Sequence, residues 1–304
     1  MRLCRFGDNR LGLVEDAVVR DVTGALDVLP GYRYPLPTSD QLVTHLDAVL
    51  RRARELAPDA PALPLDQVTL LSPVANPGKI VAAPVNYQKH LEEVRGDSRL
   101  HHNNPSHTAA IHTMGVFLKA TSSLVGPGQG IAVCKPDRRT DHEVELAFVI
   151  GKTARHVRRE DALDHIAGYA IGLDITIRGP EDRSLRKSPD TYTVLGPWLV
   201  TADEIADPDV LDLEITVNGE QRQKSNTRYL IKDVRELIVF ASSFYTLHPG
   251  DVVLTGTPEG VSPIVPGDEV VATIQSVGSM RVSVRAAEEP AVDASAQNAV
   301  GEPV

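Results

Sequence analysis

The chain of 304 residues is poor in several features that mark particular classes of protein. It has only two cysteines, Cys4 and Cys134, which lie far apart and form neither a CxxC motif nor a disulfide framework. No apolar stretch approaches the roughly 18 residues that a membrane-spanning helix needs. The first ten residues, MRLCRFGDNR, lack the apolar core of a secretory signal. We therefore predict a soluble, cytoplasmic protein that does not contact membranes.

The chain also lacks any run of basic residues. Its 31 Lys and Arg residues are outnumbered by 41 Asp and Glu residues, which gives a net charge of −10. Proteins that bind duplex nucleic acid usually have a basic face, so nucleic acid and anionic membranes are poor candidate partners. A small anionic substrate remains a candidate if a few local cations overcome the overall negative field.

Residues 1–72 are predicted to form a small N-terminal domain. The short β-type runs MRLCRF, LGLVE and AVVRDV predict a β-meander. Thr38, followed three positions later by Gln41, resembles a capping box and predicts that a helix begins there. The segment PDAPALPLD contains three prolines, and we expect it to end that helix and to act as a linker.

The remainder of the chain is predicted to form a β-rich catalytic domain over residues 73–285. Strand-like and helix-like segments alternate there without repeating as βα units, which favours an α+β fold over a doubly wound sheet. Residues 286–304 form an acidic tail that lacks aromatic residues and an apolar period. Such a composition predicts a disordered segment.

The segment DHEVELAFVIG at residues 141–151 has the clearest strand pattern in the chain. Its apolar residues from Val144 to Ile150 share one face at alternate positions, whereas Glu143 and Glu145 share the other, about 7 Å apart. Two adjacent carboxylates repel each other, and a hard divalent cation between them would remove this repulsion. Taken alone, such a pair lies more often on a strand that faces solvent.

Two further sites add candidate functional groups. Asp174 follows an apolar run and would complete a three-carboxylate metal site, although a lone Asp at such a position is commonly a turn residue. His90 and Glu93 are three residues apart on a predicted helix, where the carboxylate would orient the imidazole as a general base. The alternative for this second pair is a charged surface helix.

The order of motifs resembles the fumarylacetoacetate hydrolase family over residues 73–285. The matching segments are KIVAAPVNYQKHLEEV, GVFLKATSSLVGPGQGI, DHEVELAFVIGKTARHV, IAGYAIGLDITIR, RKSPDTYTVLGPWLVTADEI, NGEQRQKSNTRYLI and LHPGDVVLTGTPEGV. The resemblance implies an α+β, β-rich fold, a mixed β-sheet roll preceded by the N-terminal β-meander and helix. It also implies a homodimer, a divalent cation and chemistry on 2-oxo or diketo acids.

The resemblance also implies roles for individual residues. The metal, Mg²⁺ or Mn²⁺ with Ca²⁺ as an alternative, would be held by Glu143, Glu145 and Asp174. His90 and Glu93 would form a dyad on a lid, Lys187 would act in catalysis, and Arg178, Thr191 and Thr257 would contact the substrate.

Four departures from the family pattern affect the substrate pocket. Relatives usually carry glycine where this chain has Ala83-Pro84-Val85, and an acidic residue shortly after Asp174 is missing. The loop from Gly179 to Lys187 is short, whereas residues 95–113 form a long segment with four histidines. These histidines have no Cys partner and no His-x-x-x-His spacing, so a mobile loop is favoured over a zinc site.

The function that follows from the resemblance is a metal-dependent hydrolase that cleaves a C–C bond in an acylpyruvate or related β-diketo acid, as in aromatic catabolism. The metal would bind the 2-oxo acid end of the substrate, while Lys187 and Arg178 offset its negative charge. The dyad would deprotonate a water molecule that attacks the distal carbonyl. The alternatives are a decarboxylase, tautomerase or dehydratase acting through a metal-bound enolate, and a catalytically silent scaffold.

Overall fold

The computed structural model describes residues 1–287, which form an α+β fold dominated by strands. The strands are β1 (Arg2–Phe6), β2 (Arg10–Glu15), β3 (Val18–Asp21), β4 (Ala62–Pro64), β5 (Leu70–Leu71), β6 (Ile80–Ala82), β7 (Phe117–Lys119), β8 (Leu124–Val125), β9 (Ile131–Val133), β10 (Thr140–Asp141), β11 (Val144–Ile150), β12 (Ile166–Asp174), β13 (Thr176–Ile177), β14 (Thr193–Thr201), β15 (Asp212–Val217), β16 (Glu220–Asn226), β17 (Val252–Leu254), β18 (Glu269–Ile274) and β19 (Gly278–Ala286). The α-helices are α1 (Gln41–Thr44), α2 (Leu46–Leu56), α3 (Gln88–Gly96), α4 (Ser98–His101), α5 (Ile111–Met114), α6 (Arg183–Arg186) and α7 (Val234–Phe244). Within residues 1–287, no helix has the length and apolar character required to cross a bilayer.

The strands form mixed sheets, which confirms the predicted fold class. A 12-stranded sheet has the order β4-β3-β2-β1-β14-β12-β11-β17-β6-β7, with β5 paired to β1 and β8 paired to β14. A 5-stranded sheet has the order β16-β15-β18-β19-β9, and β10 pairs with β13 in a small ribbon. The large sheet contains both antiparallel pairs, such as β11 with β12, and parallel pairs, such as β6 with β17.

The N-terminal residues form the predicted meander of β1, β2 and β3, followed by α1 and α2. The strand β1 also pairs with β14, with Arg2 opposite Val200 and Leu3 opposite Leu199. The large sheet therefore continues across the predicted boundary near residue 72. Independent folding of residues 1–72 stays a prediction.

The start of the first helix differs from its prediction, because Asp40 and not Thr38 provides the cap. The Asp40 carboxylate accepts a hydrogen bond from the Val43 amide at 3.1 Å. Its second oxygen accepts from the Asn76 amide at 3.0 Å, which ties the helix start to the segment before β6. The predicted single helix is also interrupted at His45, where α1 ends and α2 begins.

The strand β11 lies between β12 and β17 and is buried on both faces. Val144, Leu146 and Phe148 belong to one apolar cluster, whereas Ala147 and Val149 belong to a second cluster on the opposite face. The predicted strand is confirmed. Because β11 is central in the sheet, both of its faces are packed, and apolar residues such as Ala147 therefore also occur on the second face.

The segments predicted to be mobile or disordered are partly structured within residues 1–287. The histidine-rich segment contains α4, a 3-10 turn at Pro105–His107 and α5. Of the predicted acidic tail, Ala286 ends β19 and Ala287 donates a hydrogen bond to Val133, while residues 288–304 lie outside the described part of the chain.

Candidate active site and metal centre

Antiparallel pairing of β11 with β12 brings three carboxylates together. Glu143 precedes β11, Glu145 lies on it, and Asp174 ends β12. The pairing continues to the end of β12, because the Asp174 amide donates a hydrogen bond to the Glu143 carbonyl at 3.0 Å. Each of the three side chains offers one oxygen, and these oxygens all lie within 4.8 Å of one another.

This acidic cluster is buried, so the solvent-facing alternative for the Glu143–Glu145 pair is wrong. Glu143, Glu145 and Asp174 are 4%, 1% and 1% exposed. Burial, followed by repulsion from Asp174 and Glu143, raises the pKa of Glu145 well above its usual value. A divalent cation would remove this repulsion, and carboxylate oxygens are the ligands preferred by Mg²⁺, Mn²⁺ and Ca²⁺. The three residues therefore fit the predicted metal centre.

Lys187 lies against the acidic cluster. Its Nζ atom donates hydrogen bonds to Glu143 at 2.6 Å, to Asp174 at 2.7 Å and to the Thr176 hydroxyl at 2.6 Å. Burial opposes ionisation of Glu143, but Lys187 and Arg178 outweigh burial and hold the pKa of Glu143 well below its usual value. Lys187 thus lies beside the predicted metal ligands.

A second buried lysine, Lys119, was not identified from the sequence. Its Nζ atom donates hydrogen bonds to the Asp174 carboxylate and to the Tyr192 carbonyl, the latter at 2.8 Å. Burial lowers the pKa of Lys119, an effect that Asp174 partly offsets. The available sequence signal was a lysine within the apolar strand segment GVFLKAT, which is unusual unless the side chain has a buried partner.

Arg178, predicted to contact substrate, also contacts the metal centre. Its guanidinium donates to Glu143 at 2.8 Å and to Asp141 at 2.7 Å. Asp141 is fully buried and also accepts two hydrogen bonds from Arg139, at 2.7 and 2.9 Å. The position of Arg178 is therefore fixed by two carboxylates, and the residue lines the cavity next to the metal centre.

The helix α3 carries the predicted dyad, of which His90 lines the same cavity. His90 is 4% exposed, so the surface-helix alternative does not describe this histidine. Its Nδ1 atom lies 2.8 Å from a Glu93 oxygen, and the other Glu93 oxygen accepts a hydrogen bond from the Gly260 amide at 2.9 Å. In a neutral imidazole, this contact places the proton on Nδ1 and leaves Nε2 as the basic atom.

Thr257 lines the cavity, whereas Thr191 does not. The Thr257 hydroxyl donates to the Val144 carbonyl at 2.9 Å and accepts from the buried Gln223 amide at 2.8 Å. Thr191 adopts a left-handed backbone conformation with φ of 71°, and its hydroxyl accepts a hydrogen bond from the Ala132 amide at 2.8 Å. Of the predicted substrate contacts, Thr257 and Arg178 line the cavity and Thr191 does not.

The cavity has further basic walls that were not identified from the sequence. Arg183, Arg186 and His107 line it together with His90 and Lys187. Arg183 and Arg186 lie on the short helix α6, within the segment noted for its shortness, and their three-residue spacing was the available signal. His107 comes from the histidine-rich segment, so this departure from the family pattern contributes to the cavity.

The β-rich fold and the buried carboxylate cluster together define a class of enzymes that depend on a divalent metal. The sequence profile of the fumarylacetoacetate (FAA) hydrolase C-terminal family matches residues 79–285. The chain belongs to the fumarylacetoacetate hydrolase family.

The chain is similar to three proteins whose names describe an activity. A maleylpyruvate hydrolase from Aquipseudomonas alcaligenes is 59% identical over 285 residues, which cover 94% of this chain and 99% of the relative. A mitochondrial oxaloacetate tautomerase from Bos taurus is 39% identical, with 76% of this chain and 73% of the relative covered. The crystal structure of maleylpyruvate hydrolase from Sphingobium sp. SYK-6 in complex with manganese(II) and pyruvate is 39% identical, with a TM-score of 0.80 and 95% and 100% of the two chains covered.

These similarities confirm the predicted class of enzyme, a metal-dependent hydrolase of acylpyruvates or related β-diketo acids. The alternative of a catalytically silent scaffold would be expected to have lost a metal carboxylate, and all three are present.

Proposed function

We propose that the protein hydrolyses maleylpyruvate, or an acylpyruvate very similar to it, to pyruvate and a carboxylic acid. The observation that carries this proposal is the 59% identity to a maleylpyruvate hydrolase over 94% of the chain. It is supported by the cavity, in which His90 and Lys187 lie with Glu143 and Glu145. In this reaction the oxygen of water bonds to the acyl carbon while the bond between that carbon and the pyruvate methylene breaks.

His90 and Glu93 act as the base that activates water. The Glu93 carboxylate holds His90 through Nδ1, so Nε2 takes the proton of the attacking water. The positive charge that develops on the imidazole is stabilised by the same carboxylate, 2.8 Å away. Because the Gly260 amide donates a hydrogen bond to the other Glu93 oxygen, both carboxylate oxygens are held in this orientation. The leaving pyruvate methylene then receives a proton, which completes the balance of the reaction.

Glu143, Glu145 and Asp174 would hold the metal, which supplies Lewis acidity toward the 2-oxo acid end of the substrate. Lys187 and Arg178 contribute fixed positive charge beside these carboxylates, within 2.6–2.8 Å of Glu143. Groups that are already in place stabilise developing negative charge without reorganisation during the reaction. We assign both residues to stabilisation of the leaving enolate.

The proposal extends to the cation, the assembly and the cell compartment. Mg²⁺ or Mn²⁺ is proposed as the cation, with Ca²⁺ as an alternative, and the relative that contains manganese(II) supports this choice. We further propose a cytoplasmic homodimer that acts in aromatic catabolism. Sedimentation of the purified protein measures the oligomeric state directly.

Product analysis by NMR tests the reaction. The protein is incubated with maleylpyruvate, acetylpyruvate and oxaloacetate, separately, with Mg²⁺ or Mn²⁺. We expect maleylpyruvate to yield maleate and pyruvate in equal amounts, with no carbon dioxide. A keto–enol exchange of oxaloacetate without C–C cleavage of any acylpyruvate would favour a tautomerase, the activity in the name of the bovine relative.

A further inference from the structure

The active-site cavity is also lined by two arginines and a histidine that have no role in the functions assigned above. Arg183 and Arg186 lie one helical turn apart on α6, and His107 lies beside Arg186. All three line the same cavity as His90 and Lys187. The functions assigned above to the metal centre and the dyad use none of them.

The guanidinium of Arg186 is held rigidly. Its Nε atom donates to the Glu181 carbonyl at 2.8 Å, Nη1 donates to the Ile177 carbonyl at 3.1 Å, and Nη2 donates to His107 Nε2 at 3.2 Å. A guanidinium has five N–H groups, and these contacts use one on each nitrogen. Among the residues that the structure describes, one N–H group on Nη1 and one on Nη2 therefore remain to bind a ligand. This is the arrangement with which arginine binds a carboxylate through two hydrogen bonds.

The positive charge of Arg186 is buried, and the Glu143 and Asp174 carboxylates act on it only from beyond ion-pair distance. Arg186 is 3% exposed, and no carboxylate within residues 1–287 forms an ion pair with it. Burial, followed by repulsion from Arg178 and Arg183, lowers the pKa of Arg186 to about 10. Burial, followed by repulsion from Arg186 and Arg183, lowers the pKa of His107 to about 4. This imidazole is therefore neutral, and its Nε2 atom accepts a hydrogen bond from Arg186.

A buried guanidinium that has no carboxylate in direct contact is costly, so this arrangement favours the binding of an anion there. Glu143 and Asp174 do not fill this role, because Lys187, Lys119 and Arg178 already pair with them, and within residues 1–287 Glu145 forms no ion pair. The anion must therefore come from outside the described part of the chain. The apolar side chains of Val85, Val94 and Leu100 line the same cavity and suit an uncharged carbon chain.

We propose that Arg186, with Arg183, binds a second carboxylate on the acyl part of the substrate, and that His107 is a positioning residue that orients Arg186. This inference rests on the proposed function and makes it more specific. The enzyme would select acylpyruvates that carry a carboxylate at the far end of the acyl chain over those with an uncharged acyl group. The metal centre would bind the 2-oxo acid end, and the arginines would bind the other end.

The test compares two substrates in four variants. Values of kcat and KM are measured for maleylpyruvate and for acetylpyruvate with Arg186→Met, Arg186→Lys, Arg183→Met and the control Leu185→Ala, an exposed residue on the same helix. For maleylpyruvate, Arg186→Met is expected to lower kcat/KM by about 10- to 100-fold, mainly through KM, as for the loss of a charge-assisted hydrogen bond. Acetylpyruvate turnover should change less than about threefold, and Arg186→Lys should restore part of the loss.

The outcome that overturns the inference is an equal loss for both substrates, because Arg186 would then act only on the structure of the site. An unchanged preference in both Arg186→Met and Arg183→Met would overturn it as well. Calorimetric titration with maleate gives an independent measurement, in which wild type should bind more tightly than Arg186→Met or Arg183→Met. If wild type hydrolyses neither acylpyruvate, the proposed function fails, and the maleate titration alone decides whether the carboxylate site exists.

Discussion

The three metal carboxylates differ in the partners that neutralise them. Glu143 accepts from Lys187 and Arg178, and Asp174 accepts from Lys187 and Lys119. Within residues 1–287, Glu145 forms no ion pair, and its contact is the Gly256 amide at 2.6 Å. A neutral side chain at position 145 would keep that contact and remove the repulsion from its neighbours. The three ligands should therefore differ in their effect on stability while sharing one function.

We expect Glu145→Gln to leave the free energy of unfolding of the metal-free protein unchanged or higher. Glu143→Gln and Asp174→Asn should lower it by about 3 kcal/mol, because each leaves buried cations without a partner. All three should weaken binding of Mn²⁺ and activity together. Thermal unfolding in chelator and calorimetric Mn²⁺ titration measure the two effects. Equal destabilisation by all three substitutions would contradict the assigned ion pairs, and unchanged metal affinity would contradict the metal centre.

Substitutions of the dyad residues should affect catalysis without affecting metal binding. His90→Ala should lower kcat by about 10²–10⁴-fold, the usual range for loss of a general base. Metal affinity should be nearly unchanged, because the carboxylates alone hold the cation. Glu93→Gln should lower kcat less, since the imidazole remains but loses its charged partner.

Steady-state kinetics on maleylpyruvate and calorimetry on the same variants separate these effects. Full activity of His90→Ala would reject water activation by this residue and favour a reaction through the enolate alone. A parallel loss of metal would instead show that His90 is a ligand.

At the scale of secondary-structure elements, side-chain hydrogen bonds connect the helix and strands that lie around the candidate site. The helix α3 is connected to the segment after Thr257 by the hydrogen bond from Gly260 to Glu93. Gln223 on β16 connects the 5-stranded sheet to the metal centre, because its amide contacts the Val144 amide and the Thr257 hydroxyl. Both connections join segments that are more than 30 residues apart in the chain.

The helix start at Asp40 provides a test at this scale. Asp40→Ala should lower the free energy of unfolding by about 1–2 kcal/mol, because it removes a helix cap and also the contact to Asn76. Thr38→Ala, at the exposed residue of the predicted capping box, serves as the control and should change it by less than about 0.5 kcal/mol. Chemical denaturation measures both. A larger effect from Thr38 than from Asp40 would contradict the observed cap.

At the scale of the whole molecule, buried histidines link stability to pH. Burial lowers the pKa of His142 to about 4 in spite of the neighbouring Asp141 carboxylate. His107 has a similarly lowered pKa of about 4, due to burial and then to Arg186 and Arg183. In the unfolded chain both pKa values are near 6.5. Between pH 6.5 and about 4 the unfolded chain therefore binds more protons than the folded protein, and stability falls as pH falls through this window.

The variant His107→Asn tests this coupling. Its free energy of unfolding should decrease less steeply than that of wild type between about pH 7 and about pH 5, because one buried titrating group is removed. The exposed His112→Asn is the control and should keep the wild-type pH dependence. Chemical denaturation at several pH values gives the slopes. Identical slopes for wild type and His107→Asn would show that His107 ionises with a normal pKa in the folded protein.

Local patterns in the sequence were sufficient to predict several strands and candidate site residues of this protein. The meander β1–β3 and the strand β11 are confirmed, because each depends on an apolar period that spans a few neighbouring residues. The proposed metal ligands Glu143 and Glu145 were recognisable as a pair on one strand face. The order of family motifs over residues 73–285 then predicted Asp174 and the class of enzyme, since those motifs occur together.

Only the tertiary structure decided the features that depend on contacts between distant segments. Burial of Glu143 and Glu145 requires β12 and β17 on either side of β11, and no local pattern distinguishes that position from a sheet edge. The pairing of Lys119 with Asp174 joins residues 55 positions apart. Arg186 and His107 are in contact although they are 79 positions apart in the sequence. No local pattern therefore predicts that the short helix and the histidine-rich segment line the same cavity. The sequence specifies which side chains can carry a charge. The packing of the tertiary structure determines whether such a side chain is buried and which groups lie beside it.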